Sequence, residues 1–354
     1  MILIFVIIAF ILASVVQYLL MRRGVSGINA DVYPEADSLE PGETFVLNVS
    51  VENSSRAFFP YVRYRVILPQ EIEVATALSV SEYHKSSISV SGTMILPPRR
   101  KVTRQIYATC KKRGAHRFGD IYIQTGDFLG IAESGKNFYH FRQIAVYPKA
   151  CPQKSAEVTY SNIMGDHSVR RFIYEDPVLI SGFRSYSGRE PMKDISWLAS
   201  ARTGELMVKT YDHTASPSVT VVLDCQGFSE EVIELCLSTA RTILEELERE
   251  GIEYDFILDS SCGGSNCGQH YFSKGMGLHH LHGILRQMAF AEYFCSYSAR
   301  EMAEKLMSEV RDLSGIIFIT GARSESSDAA CAVFRRNPAL QIRTVYAQEN
   351  AACM

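Results

Sequence analysis

The sequence predicts a multi-domain chain: an amino-terminal transmembrane helix, an all-β sandwich, and an α/β domain with a doubly wound parallel sheet. Three observations predict this order. The first residues are almost entirely apolar, a long middle stretch alternates apolar and polar residues, and the last part alternates short apolar strands with amphipathic helices. The predicted parts are 1–21 (helix), 30–150 (sandwich), 151–215 (a charged junction) and 216–354 (α/β domain).

The overall composition is that of an ordinary globular protein, with 354 residues, 47% of them hydrophobic and 21% charged. The formal net charge is -3, so the chain lacks the basic excess that nucleic-acid binders carry, and no nucleic-acid partner is predicted. The nine cysteines are odd in number and irregularly spaced. This pattern is not typical of a disulfide framework, which favours a reducing compartment.

The first segment, residues 1–21, is long enough and apolar enough to cross the hydrocarbon layer of a bilayer as a helix. Arg22 and Arg23 follow it directly, and the positive-inside rule places them and all later residues in the cytoplasm. A cleaved signal peptide is the alternative, but no basic residue precedes the apolar run. The prediction is a single-pass protein of the cell membrane with cytoplasmic domains.

The sandwich is predicted from short stretches with period-two alternation. Residues 44–51 and 62–67 alternate apolar and polar side chains, and Pro41 and Gly42 precede the first stretch as a turn. Further candidate strands are 87–96, 104–110, 120–125 and 143–147. Strands at this spacing, with little helical periodicity, are typical of a β-sandwich.

The α/β domain begins with an apolar strand, 219–224, that ends in Asp224. Ser229 is placed to cap the amphipathic helix that follows, and a second apolar strand ends in Thr320. Ligands of doubly wound sheets bind beyond the carboxyl ends of the strands. Asp224 and Thr320 therefore mark the edge where a ligand or partner is expected.

The most informative segment of the chain is 182–209, which we call the signature segment. It carries an Arg-x-Tyr, a Gly-led turn, an Ile-x-Trp and a Ser-Ala-Arg-Thr run. These are Arg184 and Tyr186, Gly188, 195–197 and 200–203. The pattern resembles the signature of the bacterial family catalogued as domain of unknown function fifty-eight. Upstream stretches at 112–114, 119–120 and 127–130 are also similar to that family.

The resemblance implies that the α/β domain is of von Willebrand factor A type. It also implies a partner, an ATPase of the MoxR branch of the AAA+ machines. We expect a membrane-anchored, non-enzymatic adaptor that aids assembly or maturation of envelope or membrane complexes. Two alternatives stay open: a membrane-associated hydrolase that uses the carboxyl edge of the sheet, and a structural envelope protein.

The side chains of the signature segment favour a structural junction or a contact surface over catalysis. Arg184, Asp194 and Arg202 have the charges for a hydrogen-bonded network. Trp197 is the only tryptophan, and its size suits a buried anchor. With Tyr186 and Thr203, these residues are the predicted interaction or junction set.

A divalent-cation site is the metal hypothesis. Domains of von Willebrand factor A type often bind a cation through Asp-x-Ser-x-Ser. Here Asp224 matches, but Gln226 and Phe228 replace the two serines. The later loop reads Thr320-Gly321-Ala322 and has no acid. Asp224 is therefore a candidate ligand in a degraded loop, and capping of that loop is the alternative.

Two other patterns carry weaker signals. Gly130, Gly135 and Lys136 match most of a phosphate loop, but Asn137 replaces its Ser or Thr, so a hairpin loop is predicted. Cys262 and the cysteine five residues later, with downstream histidines, are spaced too loosely for typical zinc pairs, which favours a flexible Gly-rich loop.

The basic runs 99–101 and 111–113 fit solvated loop ends or contacts to anionic lipid. The sequence contains neither Gly-x-Ser-x-Gly nor His-Glu-x-x-His. No catalytic residue and no organic cofactor are therefore predicted.

Overall fold

A computed structural model describes residues 25–75, 79–84, 86–126, 133–150, 180–188, 191–211, 218–262, 265–293, 297–309, 315–337 and 340–351. The chain divides into two compact units, Met1–Pro148 and Lys149–Met354. Each unit has its own sheets and its own hydrophobic core.

The first unit is a β-sandwich of ten strands within its described residues. They are β1 (Ile28–Pro34), β2 (Ser38–Leu39), β3 (Thr44–Asn53), β4 (Phe59–Pro69), β5 (Ile72–Val74), β6 (Ser79–His84), β7 (Ser87–Leu96), β8 (Lys101–Cys110), β9 (Gly114–Gly126) and β10 (Glu133–Val146). One sheet has the order β1-β3-β8-β5 and the other β2-β10-β9-β4-β7-β6. Every pair is antiparallel except the short β2–β10 pair.

The core of the sandwich follows from the period of two. In β3, Leu47, Val49 and Val51 are buried, and in β4 Val62 and Val66 are buried. Successive side chains of a strand point to opposite faces, so each sheet turns one apolar face inward. The two inner faces share a single cluster of buried residues. The predicted β-sandwich is confirmed.

The second unit combines a two-stranded ribbon with a five-stranded sheet. Its elements are β11 (Ile180–Ser185), α1 (Trp197–Thr203), β12 (Met207–Tyr211), β13 (Ser218–Leu223), α2 (Glu230–Arg249), β14 (Glu253–Cys262), β15 (Ser265–Gly275), α3 (Leu278–Phe290), α4 (Ala299–Glu309), β16 (Gly315–Thr320), α5 (Glu325–Phe334), β17 (Gln341–Tyr346) and α6 (Ala347–Ala351). β11 pairs with β12, and the larger sheet has the order β15-β14-β13-β16-β17.

Helices cover the larger sheet. Val222, Ile257 and Phe318, on three neighbouring strands, form one buried cluster with α4 and α5. Helix α2 also contacts β13, β14 and β16, but none of its residues belongs to that cluster. Because strand side chains alternate between faces, α2 covers the opposite face. Ser229 stands at the N-cap of α2, although its side chain makes no capping hydrogen bond.

The predicted fold class, with its parallel sheet of von Willebrand factor A type, is wrong. Strands predominate over helices in the described residues, and the five-stranded sheet is mixed, because β15 pairs antiparallel with β14. Two residues separate β14 from β15. A connection this short allows only a hairpin, since a parallel pair needs a crossover of a dozen or more residues. The Gly-rich composition around Cys262 predicted a flexible loop where the structure has this hairpin.

The prediction of a single-pass membrane protein anchored in the bilayer is also corrected. Among the residues that the structure describes, no helix is both long enough and apolar enough to cross a membrane. Helix α2 is the longest of them, and its exposed face is charged rather than apolar. The predicted segment 1–21 itself lies outside the described residues.

Candidate functional site

The signature segment folds as a small ribbon with a helix between its strands. β11 and β12 pair antiparallel, with Arg184 opposite Val208. A 3₁₀ turn at Met192–Asp194 and helix α1 lie between the two strands. An isolated bridge joins Ile195 to Val208 and ties the helix entry to β12.

Serine hydroxyls hold α1 in place. The Ser196 Oγ accepts a hydrogen bond from the Ala199 backbone N at 3.3 Å and so caps the helix. The Ser200 Oγ donates to the Ser196 carbonyl at 2.8 Å and accepts from the Met207 N at 2.8 Å. Gly204 ends the helix at φ 78°, where a residue with a Cβ would be strained. A helix of seven residues is unstable alone, so these bonds fix its position.

Large apolar side chains on this segment face solvent. Trp197 is 62% exposed and Leu198 is 70% exposed. Three further exposed apolar residues of the segment are Phe183, Met192 and Leu206. Trp197 is therefore not the buried anchor that its size suggests. Ile195 and Val208 are the buried apolar side chains of the described part of the segment, and the first turn of α1 lies outside them.

The charged residues of the segment are also accessible. Arg184 on β11 and Arg202 on α1 are exposed, and Asp194 is half-buried. Among the described residues, no salt bridge joins Asp194 to Arg202, so the predicted charged network does not include that pair. Arg202 lies in the last turn of α1, where a positive charge interacts favourably with the helix dipole. Tyr186 is half-buried, and the Thr203 hydroxyl donates to the Ala199 carbonyl at 3.1 Å.

Asp224, the candidate metal ligand, is buried at the carboxyl end of β13. Its Oδ2 accepts a hydrogen bond from the Thr320 hydroxyl at 3.0 Å, and its Oδ1 accepts from the Gln226 N at 3.1 Å. Both carboxylate oxygens thus accept hydrogen bonds from the protein, as expected for a residue that stabilises its own loop. Within the described part of the chain, no three His, Cys, Asp or Glu side chains form a group that could hold a metal.

Phe228 and Val232 pack against the backbone at this edge of the sheet. A Cβ on Gly321 would lie 2.5 Å from the Val232 Cγ1 and 2.8 Å from the Phe228 ring. Phe228 occupies the second serine position of the cation loop, and its ring covers the backbone after Thr320.

Cys236 on α2 is a titratable group whose pKa is affected by this buried edge. Burial, together with the nearby Asp224 carboxylate, raises the pKa of its thiol from 9.0 to about 12. The folded state thus holds this proton more tightly than the unfolded chain does. Its contribution to stability is complete below pH 9.0 and is lost as the pH rises towards about 12.

We expect Cys236→Ala to flatten the loss of stability between about pH 9 and 12, because the thiol no longer titrates there. Urea unfolding followed by circular dichroism at several pH values measures the slope. Cys110→Ala in the sandwich should flatten the slope over a narrower range, between about pH 9 and 11, because burial raises the pKa of that thiol to about 11. An unchanged slope in Cys236→Ala would contradict the assignment.

The weaker sequence signals have structural explanations where they are described. Lys136 lies in β10, where its Nζ donates to the Ile28 carbonyl at 3.1 Å, while Gly130 lies outside the described residues. Cys262 ends β14, and the second cysteine of the pair lies in β15, so the predicted Gly-rich loop is a hairpin. Lys111 forms an exposed salt bridge with Glu73 at 3.0 Å.

The sequence reasoning missed a second surface, on the outer face of the six-stranded sheet. The guanidinium carbon of Arg63 lies 5.7 Å from the Tyr61 ring centre, and that of Arg65 lies 5.9 Å from the Tyr122 ring centre. Beside them is a groove of about 440 Å³ lined in part by Arg65, Tyr122 and the exposed Tyr139. We call Tyr61, Arg63, Arg65, Tyr122 and Tyr139 the arginine–aromatic face. Arginines at alternating outward positions of a strand were its signal in the sequence.

The first unit belongs to the class of β-sandwich domains. Similar solved structures include a CARDB domain from Pyrococcus furiosus crystallised with di-metal ions (15% identity, TM-score 0.24, 34% of this chain and 86% of that chain). A non-cellulosomal cohesin from Archaeoglobus fulgidus is also similar (14% identity, TM-score 0.20, 33% of this chain and 86% of that chain). Both are β-sandwich domains.

Among curated proteins, the chain is similar to the uncharacterized protein YeaD of Bacillus subtilis. The two are 23% identical over 198 residues, which is 54% of this chain and 46% of YeaD. The match thus spans less than half the length of that relative. No family model matches the chain.

Proposed function

We propose that this protein is a non-enzymatic adaptor and that its signature segment docks on a partner protein. The observation that carries the proposal is the pair Trp197 and Leu198, both exposed on the first turn of a helix that its own hydrogen bonds hold rigid. Exposed apolar side chains grouped on one segment mark interaction sites. Tryptophan and arginine are also the residues most enriched among energetic hot spots.

The shape of the segment suits docking without large rearrangement. The Ser196 cap and the Ser200 bonds to both Ser196 and Met207 order α1 before any partner binds. A preordered surface loses less conformational entropy on association than a mobile one. Arg202 and Thr203 lie on the same short helix and would add polar contacts at the rim.

The proposed partner is an ATPase of the MoxR branch of the AAA+ machines. This partner is inferred from the resemblance of the signature segment to the domain of unknown function fifty-eight family. The proposed cellular role is assembly or maturation of envelope or membrane complexes. Both Asp224 oxygens accept hydrogen bonds from the protein itself, which favours this adaptor role over a hydrolase at that edge.

We expect Leu198→Ala and Trp197→Ala each to weaken binding to the ATPase about tenfold, as for the loss of a hot-spot side chain. Binding of the full chain to the purified ATPase, with ATP and with ADP, is measured by biolayer interferometry. Leu278→Ala is the matched control, since Leu278 is 67% exposed but lies on α3. We expect it to change the Kd less than about twofold.

Two outcomes would count against the adaptor hypothesis. One is that the wild-type chain does not bind the ATPase in either nucleotide state. The other is that Leu278→Ala weakens binding as much as Leu198→Ala does, which would show that exposed leucines matter regardless of their place.

A further inference from the structure

We propose that the arginine–aromatic face binds an extended acidic peptide segment of a partner protein, with carboxylates on Arg63 and Arg65. This surface belongs to the first unit and the signature segment belongs to the second. The inference therefore goes beyond the proposed function and does not depend on it.

The two arginines are positioned for carboxylate recognition. Each guanidinium lies over a tyrosine ring, Arg63 over Tyr61 and Arg65 over Tyr122. The cation–π contacts restrain the guanidinium groups, and a restrained planar fork bonds both oxygens of a carboxylate with little further loss of entropy. Within the described residues, neither Arg63 nor Arg65 makes a salt bridge. Their charge is thus available to a partner.

The strand geometry specifies the form of the ligand. Arg63 and Arg65 point outward from β4, and the intervening Tyr64 is buried in the core. Alternate residues of a strand lie about 6.6 Å apart, and the same spacing separates alternate residues of an extended peptide. A segment with acidic residues at every second position therefore matches this strand. The adjoining groove, about 440 Å³, accepts side chains from the same segment.

The overall charge of the chain favours a peptide over nucleic acid, because the formal net charge is -3 and nucleic-acid binders carry a basic excess. Asp120 also lines the groove, where its carboxylate can accept peptide N–H groups.

The test uses the full chain and a short fluorescein-labelled peptide of alternating Glu and Thr, with binding followed by anisotropy. We expect Arg63→Gln and Arg65→Gln each to raise the Kd about tenfold, and added salt to weaken binding. Arg104→Gln is the matched control, an exposed arginine of the other sheet, and should stay within about twofold. The corresponding Gln–Thr peptide should bind at least about tenfold more weakly.

Melting curves check that each variant is folded. If Arg65→Gln does not fold, the effect of Arg63→Gln alone tests the proposal. No binding of the acidic peptide at low salt would overturn the proposal. So would an equal effect of Arg104→Gln, which would indicate general charge attraction. Tighter binding of labelled oligouridine than of the acidic peptide would also overturn it and assign the face to single-stranded nucleic acid.

Discussion

Gly119→Ala should destabilise the β-sandwich by about 4 kcal/mol, from a severe steric clash added to a strained backbone. Gly119 is buried in β9 with φ at 140°, a conformation that L side chains rarely adopt. A Cβ there would lie 1.7 Å from the His140 carbonyl oxygen. That oxygen belongs to the backbone of β10 at a register shift between Tyr139 and Arg142, so it cannot move without disturbing the pairing of β9 and β10.

Gly42→Ala provides the matched control for this prediction. Gly42 also has a positive φ, 84°, but nothing lies within 4 Å of the position of its Cβ. Its expected cost is therefore the backbone term alone, about 1–2 kcal/mol. Urea unfolding of both variants, followed by circular dichroism, measures the difference. Equal losses in the two variants would show that β10 yields to the added methyl group.

Asp224→Ala should lower the free energy of unfolding of the second unit by about 3 kcal/mol. The change removes an acceptor that bonds the Thr320 hydroxyl and the Gln226 N, and both are left without it at a buried edge. An unsatisfied buried donor costs about 1–3 kcal/mol, and a bond to a charged group is worth somewhat more than a neutral one. Chemical denaturation of the wild type and the variant gives the difference.

Thr320→Val separates the two bonds, because it keeps the shape of the side chain and removes only the hydroxyl. Its expected cost is about 1–2 kcal/mol. Stability that is unchanged or higher in Asp224→Ala would contradict a structural role and favour retention of the carboxylate for binding. In that case Mg²⁺ should raise the melting temperature of the wild type but not that of Asp224→Ala.

The local patterns predicted the sandwich well, for a physical reason. Residues 44–51 and 62–67 alternate, and β3 and β4 contain both stretches. Alternation is a direct consequence of strand geometry, so a half-buried strand shows it wherever the strand pairs. The predicted helix after Ser229 is found for a similar reason, since an amphipathic face has a fixed period of 3.6 residues.

The hairpin of β14 and β15 could not be predicted from the periodicity of the sequence. Gly, Ser and Cys around residue 263 weaken strand propensity, and that propensity depends strongly on which neighbours a strand packs against. Pairing with β14 decided the structure there. The resemblance pointed to Trp197 and Arg202, but not to their exposure. A tryptophan in a short amphipathic segment faces the core or solvent according to which other residues fill the core.

By itself, the sequence determined the β-rich first unit, the apolar strands and amphipathic helices of the second, and the unusual character of residues 182–209. Tertiary structure alone decided that the five-stranded sheet is mixed, that Asp224 is hydrogen-bonded to Thr320, 96 residues away, and that the Arg65 guanidinium lies 5.9 Å from the Tyr122 ring centre. The reason is the distance along the chain over which each kind of interaction acts. Periodicity and capping are set by near neighbours in the chain, whereas exposure, strand pairing and side-chain stacking depend on segments that meet only when the chain has folded.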